Sequence, residues 1–186
     1  MEIKSKTDSS VQLKRLGLNY IDNIIIETNN LENAKLFVEQ NPAEEYCLRS
    51  LDSALGQYFF AKNIDEIIEL SKNYNDKFWL GVSTRPLATH LLLLGDIKVD
   101  KERNIVDLVA KTSTNANHRN LDDNPEFNFH TTLEDDNLWN VPSFLTLINY
   151  ISKHHLYNMV VEFAIYDCPV GHHKENILIY EIRTNY

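Results

Sequence analysis

The end of the chain carries the pattern that most constrains the fold. We interpret residues 159–167 and residues 177–183 as two alternating, largely apolar runs, and a polar segment that contains Gly171 joins them. Alternation with a period of two gives a strand one apolar face, and two such runs with a short connection are typical of antiparallel neighbours. The sequence therefore predicts a β-hairpin at the C-terminus.

Helical spacing of apolar residues recurs earlier in the chain. Asn29 and Glu32 have the spacing of a capping box, in which two side chains bind backbone N–H groups at the start of a helix. Asn63 or Asp65 is in a position to cap a second helix. Three helices are predicted, over residues 31–40, from residue 63 or 65 onwards and from residue 142 onwards.

The remaining β-prone runs decide the fold class. The triplet Ile24, Ile25 and Ile26 predicts a strand that is buried on both faces. Further strands are expected within residues 46–51, 78–82, 96–110 and 127–131, while residues 54–61 fit either a strand or a helix. Because the later strands form hairpins, we predict an α+β fold with a mixed or mostly antiparallel sheet and about three helices packed against it, ending in the C-terminal β-hairpin.

Length and composition predict one domain. The 186 residues contain no internal repeat and no Pro/Gly/Ser-rich linker. Residues 1–12 are polar and aperiodic, which predicts a flexible N-terminal segment followed by a single α+β domain over residues 13–186. The N-terminus lacks the apolar run of a signal peptide, and no membrane partner is expected. Cys47 and Cys168 are interpreted as reduced core residues, which favours a cytoplasmic location.

The charge distribution suggests an interaction surface. The chain has 27 acidic against 18 basic residues and a net charge of −9, which disfavours direct binding of nucleic acid. Residues 120–152 contain several carboxylates and neither Lys nor Arg. A basic protein partner is therefore expected to contact this acidic loop. The predicted contact residues are Asp122, Asp123, Glu134, Asp135, Asp136 and Trp139.

The sequence gives weaker evidence for a metal or phosphate site than for an acidic interaction surface. Residues 118–136, which include the start of the acidic loop, have metal-ligating residue types at His118, Asp122, His130 and Asp135, but no established metal motif, so neither a metal nor another cofactor is predicted. Ser83, Thr84 and Arg85 follow a predicted strand and have the hydroxyl and guanidinium groups that bind phosphate. The alternative for Arg85 is an ion pair with a carboxylate of the chain.

The C-terminal hairpin offers one more constellation. Asp167 followed by Glu181 and Arg183 imitates the acidic and basic residues of metal-dependent nucleases. Arg183 cannot act as a proton donor and acceptor in the way that lysine can, and the acidic chain would repel nucleic acid. A cross-strand ion pair between Glu162 and Arg183 is the ordinary interpretation of these residues.

Three functions are compatible with these patterns. The one we favour from sequence is a non-catalytic binding or inhibitory protein that engages a basic protein partner through the acidic loop. The first alternative is a small metal- or phosphate-dependent enzyme with its site between residues 83–85 and residues 118–136. The second alternative is a structural or assembly subunit, and the sequence leaves the oligomeric state open.

Overall fold

A computed structural model of the protein describes residues 3, 5–51, 57–112 and 124–184. The chain divides into two compact units, of which one is Ile21–Ala88 and the other combines Met1–Tyr20 with Thr89–Tyr186. The helices and strands are α1 (Lys6–Arg15), β1 (Asn23–Glu27), α2 (Glu32–Gln40), β2 (Tyr46–Arg49), β3 (Tyr58–Ala61), α3 (Ile64–Ser71), β4 (Lys77–Val82), β5 (Leu91–Asp100), β6 (Ile105–Lys111), β7 (Phe127–Thr132), α4 (Phe144–Lys153), β8 (Val160–Val170) and β9 (Glu175–Arg183). Short 3₁₀ helices occupy Arg85–His90 and Asp136–Asn140.

The unit Ile21–Ala88 is a four-stranded antiparallel sheet in the order β1-β4-β2-β3. Side chains of α2 and α3, including Phe37 and Ile67, share a hydrophobic core with Leu48 and Phe78 of the sheet. Because the helices cover one face, burial alternates along the strands. The prediction that β1 is buried on both faces is therefore wrong, since Ile26 is fully buried but Ile25 is 38% exposed.

The other unit is a five-stranded antiparallel sheet in the order β7-β6-β5-β8-β9. Leu147 and Ile151 of α4 belong to the same hydrophobic core as Leu108 of β6 and Phe163 of β8. The helix therefore packs on one face of the sheet through its apolar side. This leaves the other face of the sheet to carry the polar residues of β5, β8 and β9.

Helix α1 forms where the sequence predicts a flexible segment. Ser5 and Asp8 make a capping box, in which each side chain accepts a hydrogen bond from the backbone N–H of the other residue. Ser9 is buried and accepts a hydrogen bond of 2.8 Å from the backbone N–H of Ile182. Since β9 is the last strand of its sheet, α1 satisfies part of an edge that would otherwise be open.

The fold class and the C-terminal hairpin are confirmed. Both sheets are antiparallel, and β8 pairs with β9 through a turn in which Gly171 has a φ of +71°. Asn63 caps α3 as predicted, by accepting from the N–H of Glu66. The predicted capping box of α2 is wrong, because its N-cap is Leu31 and no side chain caps it. The interpretation of residues 13–186 as one domain stays a prediction.

Among the described residues, no helix combines the length and the apolar character that crossing a membrane requires.

Candidate functional site

Three carboxylates form a row across three adjacent strands of the five-stranded sheet. Asp96 of β5 is paired with Glu162 of β8, and Glu162 is paired with Glu181 of β9. Residues that are directly opposite in antiparallel strands have side chains on the same face, close enough to interact. We call Asp96, Glu162 and Glu181 the carboxylate row.

A shift in the β8–β9 pairing brings Glu181 into this row. Phe163 is opposite Ile179, whereas its neighbour Glu162 is opposite Glu181, so Tyr180 is the extra residue of a bulge. In a regular strand Glu181 would lie on the same face as Ile179, which is in the hydrophobic core. The bulge therefore moves the carboxylate from the core face to the polar face.

Two basic residues lie beside the carboxylate row. Arg183 Nη2 is 3.8 Å from Asp96 Oδ2, and Arg183 Nε is 3.7 Å from Glu181 Oε1. Lys6 Nζ, from α1, is 3.8 Å from Glu181 Oε2. The row thus combines hard oxygen donors with a guanidinium and an ammonium group, which are the groups that bind a divalent cation and phosphate oxygens.

Glu181 has an electrostatic environment that disfavours its ionised form. It is 9% exposed, and burial is the main cause that raises the pKa of its carboxyl. The charge of Glu162 and a hydrogen bond between the two carboxyls raise this pKa further, whereas Lys6 and Arg183 lower it. A buried carboxylate beside a second, partly exposed one holds negative charge poorly unless a cation joins the two, and such arrangements are frequent at functional sites.

The open face of the four-stranded sheet has a different character. The guanidinium of Arg49 lies 4.5 Å from the ring centre of Trp79, and these two residues are paired across β2 and β4. The Trp79 ring covers Gly81, where an added Cβ would collide with the indole. Only glycine therefore allows this position of the ring, which leaves an aromatic surface beside an arginine.

A second arginine lies on the same unit at the end of β4. Arg85 stacks over the ring of Phe60 at 4.1 Å and forms an ion pair with the buried Glu45. Glu45 also accepts a hydrogen bond of 2.7 Å from the Ser83 hydroxyl. Glu45 thus holds the side chains of Ser83 and Arg85. For Arg85 this is the ion pair with a carboxylate of the chain, which the sequence indicates as the alternative to phosphate binding.

The predicted partner-binding residues are partly used inside the chain. Glu134 accepts a hydrogen bond from Asn104, and Asp135 accepts from the Thr131 hydroxyl and from the N–H of Asn137. These bonds lower the pKa of both carboxyls, with the Asn104 and Thr131 side chains as the main causes. Asp136 begins a 3₁₀ helix, and Trp139 is 56% exposed with its ring edge-to-face with that of Phe144. Asp122 and Asp123 lie outside the described residues.

The metal-ligand candidates of the acidic loop are not brought together where the structure describes them. His130 pairs with Asp107 of the neighbouring strand, whereas Asp135 binds Thr131 and Asn137. The other two candidates, His118 and Asp122, lie outside the described residues.

The nuclease-like constellation is also separated in the structure. Asp167 pairs with His90 rather than with Glu181, which lies in the carboxylate row. Arg183 is opposite Val160 in the strand pairing, and its ion pairs include Asp96 and Glu181.

The carboxylate row was not predictable from the sequence, because its members come from strands that are distant in the chain. Asp96 and Glu162 are paired only when β5 and β8 become neighbours in the sheet. One local signal was available: Glu181 interrupts the alternating pattern of residues 177–183 at a position where a regular strand would have an apolar side chain. A polar residue at a core position of a strand destabilises the fold and is commonly retained for a functional reason.

Comparison with known proteins shows the fold. No family model matches the sequence, and no curated protein matches it. Among solved structures, the ADP complex of an N5-carboxyaminoimidazole ribonucleotide synthetase aligns with 100% of this chain and 45% of its own, at 10% identity and a TM-score of 0.57. The Staphylococcus aureus N5-carboxyaminoimidazole synthetase, also complexed with ADP, aligns at 13% identity and a TM-score of 0.56, with 98% of this chain and 44% of its own covered.

A D-alanine-D-alanine ligase from Helicobacter pylori is similar as well. It aligns at 12% identity and a TM-score of 0.52, over 97% of this chain and 53% of the ligase. The fold is that of these ligases and synthetases. This chain spans about half of their length.

This similarity corrects the function that the sequence favoured. The prediction of a non-catalytic protein whose main role is protein binding is wrong, because the chain has the fold of ligases and synthetases. Net acidity is a misleading signal here, because a net charge does not show where carboxylates converge. The structural or assembly alternative and the contact with a basic partner stay predictions.

Proposed function

We propose that this chain binds a nucleoside triphosphate together with Mg²⁺, as part of an enzyme that uses the nucleotide to join two substrates. The observation that carries the proposal is the carboxylate row beside Arg183, on a fold shared with ADP-bound synthetases. Those synthetases and the D-alanine-D-alanine ligase are ATP-grasp ligases.

The carboxylate row fits a magnesium site. Proteins hold Mg²⁺ through one or two carboxylates together with oxygens of the substrate phosphates. Burial and then the charge of the neighbouring Glu162 raise the pKa of Glu181, and a divalent cation between the two carboxylates would offset both effects. Arg183 is in position to neutralise phosphate oxygens at the same place. Bound Mg²⁺ would supply charge neutralisation at the phosphates.

The open face of the four-stranded sheet supports nucleotide binding on separate grounds. Aromatic rings and arginine guanidinium groups stack on nucleic bases, and arginine also binds phosphate. Arg49 with Trp79 and Arg85 with Phe60 provide both types of group on this unit. Tyr58 and Phe60 are each 38% exposed, so that the rings are accessible.

The test is the affinity of the full chain for ADP with and without Mg²⁺, measured by calorimetry. We expect ADP to bind and Mg²⁺ to strengthen the binding. The double variant Glu162→Gln/Glu181→Gln should lose the effect of Mg²⁺ and bind ADP at least about tenfold more weakly in its presence, which corresponds to about 1.4 kcal/mol. The chosen substitutions keep the shape of the side chains and remove only their charge.

Glu102→Gln is the matched control. Glu102 is an exposed glutamate in the β5–β6 turn of the same unit and lies outside the carboxylate row. This variant should bind Mg²⁺ and ADP like the unmodified chain. Equal Mg²⁺ dependence in the double variant and the control, or no ADP binding by the unmodified chain, would contradict the proposal.

A cytoplasmic location is part of the proposal. Cys47 and Cys168 are both free thiols. Reduced cysteines are typical of intracellular compartments, where ATP is also available.

A further inference from the structure

We infer that His90, Asp167 and Cys168 form a binding site for a thiophilic divalent metal ion such as Zn²⁺. One ligand atom of each residue, namely an imidazole nitrogen, a carboxylate oxygen and the thiol sulfur, lies within 4.8 Å of the other two. His90 Nδ1 is 2.7 Å from Asp167 Oδ1. The inference goes beyond nucleotide binding, because it concerns a different cluster and a different class of metal.

The strand pairing explains why these three residues meet. His90 immediately precedes β5, and the next residue, Leu91, is paired with Tyr166 of β8. This register places His90 opposite the part of β8 that contains Asp167. Successive strand residues normally point to opposite faces, so that Asp167 and Cys168 would diverge in a regular strand. The β8–β9 register shifts between Ile165 and Val170, and this irregular segment allows both side chains to approach His90.

The donor set favours zinc over magnesium. Imidazole, thiolate and carboxylate are the ligands that Zn²⁺ takes, at about 2.0–2.3 Å, whereas Mg²⁺ prefers oxygen alone. Tetrahedral bonds of this length hold ligand atoms roughly 3.3–3.7 Å apart. His90 Nδ1 and Asp167 Oδ1, at 2.7 Å, are closer than this, and all three ligand atoms lie within 4.8 Å of one another. Binding of an ion would therefore require the His90 and Asp167 side chains to move slightly apart.

Accessibility is also suitable for metal binding. His90 and Asp167 are exposed and Cys168 is half-buried, so an ion can reach all three without opening a core. The three side chains leave the fourth position of a tetrahedral site for water or another ligand. Cys47 differs in this respect, because it is buried and burial raises the pKa of its thiol to about 11.

The chain contains an ordinary histidine–carboxylate pair with which the proposed site can be compared. His130 and Asp107 form such a pair on β7 and β6 of the same sheet, and both side chains have substantial exposure. The cluster around His90 adds a third ligand residue, Cys168, to the same kind of pair. The thiol is what distinguishes the proposed site from the His130 pair.

The test is cobalt titration of the full chain after chelator treatment. Co²⁺ takes the same ligands as Zn²⁺ and gives a thiolate-to-cobalt absorption band when cysteine is a ligand. We expect one Co²⁺ per chain with this band, and we expect Zn²⁺ to displace the cobalt. Cys168→Ser should abolish the band, while His90→Ala and Asp167→Asn should each weaken binding by about tenfold or more.

Three control variants test whether the band and the affinity belong to this cluster. Cys47→Ser and His130→Ala should keep both, because neither residue is a member of it. Glu181→Gln should also keep them, so that the metal site and the proposed nucleotide site can fail independently. The inference is overturned if the unmodified chain shows no thiolate band, if the band disappears in Cys47→Ser, or if the three ligand variants bind cobalt as well as the unmodified chain.

Discussion

At the scale of single residues, the carboxylate row places like charges side by side at some cost in stability. Burial and the neighbouring Glu162 raise the pKa of Glu181, which means that the folded state disfavours its ionised form. Residues of this kind are retained where binding or catalysis needs them, and removing them commonly stabilises the folded protein.

Glu181→Gln should therefore stabilise the chain while weakening Mg²⁺ binding. At neutral pH we expect the free energy of unfolding to rise by about 0.5–2 kcal/mol, because the amide keeps the shape and removes the buried charge. Urea denaturation without Mg²⁺ measures this change. A loss of stability comparable with that of a core substitution would show that the ion pairs with Lys6 and Arg183 outweigh the repulsion from Glu162.

His154 makes the stability of the chain depend on pH. Its ring packs against Tyr150 at 4.4 Å, and burial followed by the charge of Lys153 lowers the pKa of the imidazole below its ordinary value of 6.5. The unfolded state therefore binds a proton at a higher pH than the folded state does. The free energy of unfolding should fall as the pH drops from about 6.5 through the lower folded-state pKa.

The corresponding variant is His154→Gln, compared with the unmodified chain by urea denaturation over this pH range. The variant should lose the part of the pH dependence that comes from His154. His155→Gln is the control, since it alters an adjacent histidine at the end of the same helix. Identical pH profiles for the unmodified chain and His154→Gln would contradict the assignment.

At the scale of elements, one buried side chain holds the C-terminal hairpin to the segment that precedes β1. Asn19 Nδ2 donates to the carbonyls of Val170 at 2.9 Å and Ile177 at 2.7 Å, and Asn19 Oδ1 accepts from the N–H of His173 at 2.8 Å. Asn19 is fully buried. These bonds satisfy backbone groups at the turn between β8 and β9, where the regular pairing is interrupted.

Asn19→Ala should be strongly destabilising. It leaves several buried backbone groups without their partner, at about 1–3 kcal/mol for each unsatisfied group, so we expect a loss of roughly 3 kcal/mol or more. Asn30→Ala, at an exposed position after β1, should change the free energy of unfolding by less than about 0.5 kcal/mol. Urea denaturation of both variants makes the comparison, and equal small effects would contradict the role of Asn19.

Elements were predictable from sequence where local chemistry decides them. Asn63 caps α3 and residues 177–183 lie in β9, as expected from the residues themselves. The failures have tertiary causes. Helix α1 gains from the hydrogen bond between Ser9 and Ile182, and the open face of β1 depends on which side of the sheet α2 and α3 cover.

At the scale of the whole molecule, the charge of the chain proved a poor guide to its function. The carboxylates of the acidic loop are close in sequence and predicted a contact surface, but Glu134 and Asp135 accept hydrogen bonds within the chain. The carboxylate row has members from three strands, and no local pattern links them. Sheet topology, rather than composition, assembled the site from which we propose nucleotide binding.

The sequence by itself determined the fold class, the helix-forming segments that it predicted and the C-terminal hairpin, because apolar period and capping residues act over a few neighbouring positions. Only the tertiary structure decided the division into two units, the docking of α1 and the convergence of Asp96, Glu162 and Glu181. These features depend on strand order and on the bulge at Tyr180, which bring together residues that are remote in the chain.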